Sequence, residues 1–154
     1  MMQTLEFLRQ HNNYNLWANG KFLRFLQSSP EAKAERVFAH LLLAEITWLR
    51  RMRENLDTSN FDFWSGETIE DCEKLFEESR RAFADLFANL TEADLERNFS
   101  YKNSKGLSFQ NTYREALTHV FIHSAYHRGQ AAQAIRLDGN APPYTDFIQF
   151  LRIT

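Results

Sequence analysis

Four long stretches of this chain repeat their apolar residues every three to four positions, the period of one face of a helix. Phe7, His11, Tyr14, Ala18, Phe22 and Phe25 keep that period from about Thr4 to Gln27. Val37, Leu41, Ala44, Trp48 and Met52 keep it up to about Glu54. Ile69, Cys72, Phe76, Ser79, Phe83, Leu86, Phe87 and Leu90 form the third and steadiest stripe. The fourth stretch begins near Asn111 and ends at Asp138-Gly139-Asn140, where Gly or Asn suits a helix cap. Ala141-Pro142-Pro143 then forbids continuation. Four amphipathic helices predict an all-α fold, a four-helix bundle. A chain of 154 residues is long enough to make one domain, 1–154, with a core of its own.

The connections refine the topology. Ser29 reads as an N-cap, with Pro30 in the first helical position and Glu31 near the positive end of the helix dipole. Asn55 to Glu67 is long for a link between helices and carries Phe61, Phe63 and Trp64. Extended, it reaches about 40 Å. A helix of about 24 residues is about 36 Å long, so this segment can return along helix two and set helix three parallel to it. Thr91-Glu92-Ala93-Asp94 resembles a capping box. Phe99-Ser100-Tyr101 and Leu107-Ser108-Phe109 alternate around a polar turn and predict a small hairpin before helix four. Thr145 or Asp146 would cap a short last helix.

A net charge of −2 offers no general attraction for nucleic acid or acidic lipid. The single cysteine, Cys72, excludes an internal disulfide and a cysteine-cluster metal site, and its place on an apolar stripe reads as a buried, inert thiol. No apolar run is long enough to span a membrane and no signal segment opens the chain, so a cytoplasmic location is expected.

Three of the five histidines fall at 119, 123 and 127, four residues apart on what reads as helix four. Residues so spaced stand above one another and can grip one transition-metal ion. Drawn as a wheel, the helix puts Ala116, Val120, His127, Ala131 and Ala134 in one arc, with His123 at its edge. His119 lies further round, beside Tyr126 and Gln130, and reads as a surface or supporting residue. Two inward imidazoles need a reason to be buried, and a cation with a third ligand supplies one. His40 borders the helix-two stripe. With helices two and four antiparallel, it falls level with the His123/His127 pair. Glu45 sits inside an apolar arc, where a carboxylate needs an inward Arg, His or Tyr to pair with or a subunit interface.

Tyr14-Asn15-Leu16-Trp17-Ala18-Asn19, the segment from His40 to Trp48, and His123-Ser124-Ala125-Tyr126-His127-Arg128-Gly129-Gln130 together resemble the DinB/YfiT-like, or damage-inducible, family of metalloenzymes. The resemblance covers nearly the whole chain in order. It implies an up-down-down-up bundle with a long crossover between helices two and three. It further implies a metal site on His40, His123 and His127, and frequently a homodimer. Some relatives are metal-dependent S-transferases using a small thiol such as bacillithiol.

Three neutral imidazoles leave an ion's charge uncompensated and its shell open, as in a catalytic site. The expected function is transfer of a low-molecular-weight thiol to an electrophilic small molecule. The expected ion is a divalent transition metal: Zn, Ni, Mn or Fe. Tyr14 would orient a ligand. Arg128 would hold a carboxylate of the thiol, or else be a structural or solvated residue. A metal-dependent hydrolase and a non-catalytic, metal- or ligand-binding stress protein are the alternatives.

Overall fold

A computed structural model describes residues 2–154. The chain is mostly helical, with α1 at Thr4–Ser28, α2 at Ala32–Glu54, α3 at Ile69–Asn89, α4 at Tyr113–Leu137 and a short α5 at Phe147–Ile153. A 3-10 turn at Ala93–Glu96 leads into an antiparallel hairpin of β1 (Asn98–Lys102) and β2 (Ser108–Thr112), paired from Asn98↔Thr112 to Lys102↔Ser108. No helix among the described residues is long and apolar enough to cross a membrane.

The helix starts are chemically marked. Thr68 and Asp71 form a reciprocal capping box on α3, as do Thr112 and Glu115 on α4. Thr91 and Asp94 make the same exchange at the 3-10 turn. The expected cap of α2 is corrected. Ser29 ends α1, its N–H donating to the Phe25 carbonyl, and Pro30 stays outside either helix. Glu31 caps α2 because its longer carboxylate reaches the N–H groups of both Lys33 and Ala34.

Two clusters make up the core. One joins Phe22, Leu23 and Leu26 near the end of α1 with Ala34, Val37, Phe38, Leu41 and Leu42 of α2, Cys72 of α3, and Ala131, Ala134 and Ile135 of α4. The other joins Leu8 of α1 with Leu49 and Met52 of α2, Phe83 and Phe87 of α3, and Leu117, Val120 and Phe121 of α4. Burial pushes the Cys72 thiol up to about 12, so it is an inert packing group.

The first half of the α1 stripe is rotated from its expected place, while Ala18 and Phe22 are buried as expected. Leu8, Asn12, Asn15, Asn19, Leu23 and Leu26 are buried, whereas Phe7 is exposed and His11 and Tyr14 are half-buried. The reason is α5. His11 stacks on Phe147 at 5.0 Å, and Tyr14 meets Phe147 and Phe150 edge-on. The period in the sequence was real, but it combined two faces covered by different neighbours.

The segment after α2 runs back along it. Thr58 meets Arg51 near the end of α2, Phe63 meets His40 in its first half, and Gly66 to Thr68 face Pro30, Ala32 and Glu35 at its start. Arg51, buried between the rings of Trp48 and Tyr101, ties this segment to the hairpin through Thr58 and the Lys102 carbonyl.

Candidate metal centre

His40 lies in the first half of α2, and His123 and His127 lie on successive turns of α4. The core cluster that holds the first half of α2 against the last turns of α4 brings the three together. One ring nitrogen from each lies within 4.8 Å of those from the other two. The Nε2 atoms of His123 and His127 are 3.1 Å apart. An ion bound at about 2.1 Å holds neighbouring nitrogens roughly 3–3.5 Å apart. The α4 pair already meets that requirement, and closing the trio calls for side-chain movements of about 1 Å. The residues therefore fit a transition-metal ion.

The outer nitrogens fix the tautomers. His40 Nδ1 donates to the Phe63 carbonyl at 3.0 Å, and a carbonyl can only accept. His127 Nδ1 donates to Gln130 Oε1 at 2.7 Å, while the Gln130 amide N–H donates to the Tyr126 hydroxyl. Each arrangement leaves an Nε2 lone pair for a metal, the usual service of groups behind metal-binding histidines. The Trp64 indole lies parallel to the His40 ring at 3.8 Å and covers one of its faces.

Burial holds all three imidazoles below their ordinary range. For His40 the nearby His127 adds to the effect and the Phe63 carbonyl opposes it; for His127, Gln130 opposes it. His123 is pushed down to about 3, first by burial and then by His127, His40 and His119. The rings are thus neutral near pH 7 and ready as ligands. One consequence is measurable. Between the ordinary value of 6.5 and about 3, the unfolded chain binds a proton at His123 that the folded chain refuses. Stability of the metal-free protein therefore falls as pH drops through that window and is unaffected by this group above it. Urea midpoints at pH 7.5 and pH 5 should differ less in His123→Gln than in the wild type; an unchanged difference would contradict the assignment.

The profile of the DinB family matches residues 1–154. The chain belongs to the DinB family. It is also 24% identical to Protein DinB of Bacillus subtilis (strain 168), over 92% of this chain and 91% of that protein. The family expected from the three motifs is thereby shown, and a three-histidine cluster suited to a metal stands where the second and third of those motifs meet. His119 of this DinB chain stays outside the cluster, its ring against Trp48 at 4.9 Å and His123 at 5.5 Å.

Behind the histidines lies a buried polar network. Glu45, 1% exposed, accepts from Asn15 Nδ2 at 2.6 Å, Asn19 Nδ2 at 2.9 Å, Ser124 Oγ at 2.7 Å and Ser79 Oγ at 2.6 Å. The two asparagines turn their carbonyl oxygens to Arg128 Nη1, at 2.6 and 2.7 Å. Each amide dipole therefore lies between a carboxylate and a guanidinium, its orientation set by the charge at either end. In place of the inward Arg, His or Tyr expected to pair with Glu45 stand four neutral donors from three other helices, with Arg128 one layer behind, bonded to the two asparagines.

Tyr14 and Arg128 are not brought to the histidines. They line a cleft of about 570 Å³ on the α1 side of α4, together with the segment leading into α5. Arg128 is buried, and the Tyr14 hydroxyl donates to the Thr145 carbonyl at 2.7 Å. Phe63, Trp64 and the network partners carried no predicted role. A backbone carbonyl has no signature in a sequence. The network did have one: Asn15 and Asn19 stand four apart on α1, while Ser79 and Ser124 lie on or beside the apolar arcs of α3 and α4.

Proposed function

We propose that this protein is a metal-dependent S-transferase, with a divalent transition ion on His40, His123 and His127, that joins a low-molecular-weight thiol to a small electrophile. The observation that carries this reading is the convergence of three neutral, sheltered imidazoles, two of which, His40 and His127, have their outer nitrogens already committed. Among the described residues no carboxylate or thiolate joins the cluster to neutralise an ion. When bound, the ion supplies Lewis acidity that favours the deprotonated form of a small donor such as a thiol. The chain supplies positioning. The Phe63 carbonyl and Gln130 keep the rings in the ligating tautomer, and Trp64 shields one face of His40 from water. A groove of about 330 Å³ begins beside Trp64 and Gln130, reaches Lys33 and Val37, and has the size for a small molecule. Lys33 would favour an acidic thiol.

The same reading takes α1 to α4 as an up-down-down-up bundle. It is supported by the return path of the segment after α2 and by core clusters that pair the starts of α2 and α3 with the ends of α1 and α4. Three imidazoles accept several borderline ions, so Zn, Ni, Mn and Fe are all loaded in the test. Consumption of monochlorobimane should depend on both bacillithiol and the ion and should stop on chelation. A protein that binds the ion yet turns over no cellular thiol with any of the four metals would end the transferase reading.

A further inference from the structure

The guanidinium of Arg128 is only half used. Its Nη1 serves Asn15 and Asn19, but Nη2 is buried and meets no hydrogen-bond partner. Tyr14 supports the charge in part, its ring 5.3 Å from the guanidinium carbon and its hydroxyl oxygen turned to the guanidinium as a weak acceptor, but its proton goes to Thr145 and no hydrogen bond of normal geometry forms to Nη2. A charged donor withdrawn from water and left unpaired is costly, and an acceptor arriving from outside relieves that cost.

Arg128 lines the α1–α4–α5 cleft, which shares no lining residue with the histidine trio. Its volume of about 570 Å³ lies within the range of small-molecule sites. Gly129 keeps the α4 wall open, for a Cβ there would meet nothing within 4 Å. The facing wall, Pro143 to Phe147, is held down by the Tyr14–Thr145 bond and by Lys21 Nζ, which donates to the Tyr144 carbonyl at 2.8 Å. Phe22, Tyr14 and Phe147 give the cleft an aromatic lining, and the exposed Arg136 adds a second cation. Its one acidic lining residue, Asp146, lies on the facing wall at the start of α5.

We propose that this cleft is a second binding site, independent of the metal centre, for a small carboxylate with a flat apolar body, the carboxylate taken by Arg128 Nη2 and attracted by Arg136. One unpaired nitrogen between aromatic walls matches a monoanion. A dianionic phosphate would lack donors and would face Asp146.

Titration of the full-length protein with 2-naphthoate, followed by calorimetry and by chemical shifts, tests this. The neutral 2-naphthamide should bind at least about tenfold more weakly, because it cannot form the charge-assisted bond. Gly129→Leu fills the cleft without touching the buried network and should weaken 2-naphthoate by at least about tenfold while leaving the circular dichroism spectrum unchanged. Arg128→Gln should do the same if folded. Binding should be equal in metal-loaded and chelator-stripped protein, so failure of the metal reading leaves this result standing. Equal affinity for acid and amide, undiminished binding in Gly129→Leu, or loss of binding on chelation would each overturn the proposal.

Discussion

His40→Ala, His123→Ala and His127→Ala should each lose tight metal binding, with affinity reduced at least about 100-fold from one ion per chain. The expectation follows from the ligand count. Three imidazoles are the whole protein contribution to the cluster, so removing one leaves two and no neighbouring carboxylate or thiolate to replace it. Gln130→Ala should cost less, roughly 10- to 100-fold, because it frees the His127 ring and tautomer without deleting a ligand. His119→Ala should remain within about threefold of wild type, since that ring lies outside the trio. Competition titration of Zn against a chromophoric chelator resolves these steps. Undiminished affinity in His40→Ala would remove α2 from the site and leave only the α4 pair.

Glu45→Ala should destabilise the fold by about 3–5 kcal/mol, the range for removing one side of a buried charged arrangement. The substitution strips the acceptor from Asn15, Asn19, Ser79 and Ser124 at once and leaves the Arg128 charge without its counterpart. Glu45→Gln should cost less, about 1.5–3 kcal/mol, because it keeps the hydrogen-bond pattern but also removes the charge opposite Arg128. Its oxygen can still face the Asn15, Asn19 and Ser124 donors, and the Ser79 hydroxyl can turn to accept from its amide. Chemical denaturation separates the two substitutions. A loss below about 1 kcal/mol for Glu45→Ala would mean that water or a repacked core satisfies these donors as well as the carboxylate does. The network also bears on the metal centre, because Ser124 lies between His123 and His127 in sequence. Its bond to Glu45 ties α4 to the helix that carries His40.

Much of this was legible without coordinates. Apolar periods located the four long helices, and alternation around Lys102 to Gly106 located the hairpin. The four-residue spacing on α4 and the helical wheel singled out His123 and His127, and the expected level of His40 on α2 supplied the third histidine of the cluster. Such inferences succeed because helix rise and twist are nearly constant, so spacing along the chain converts directly to direction and height. The first half of the α1 face was misplaced because a wheel does not say which neighbour covers each arc. Here α5 covers the His11–Tyr14 side, while the buried centre is polar with Asn12, Asn15 and Asn19.

The placement of Arg128 shows the same boundary more sharply. It follows His127 directly, so the two side chains diverge by about 100° around α4 and meet different helices. His127 reaches the α2 side, whereas Arg128 reaches Asn15 and Asn19 of α1 and the cleft beside α5. Local order along the chain was enough to name the family, the long helices and the three histidines that cluster. Which ring nitrogen of His40 remains free, what Glu45 pairs with and which side of α4 an arginine serves depend on contacts between residues 23 to 113 positions apart, and these exist only once the helices have packed.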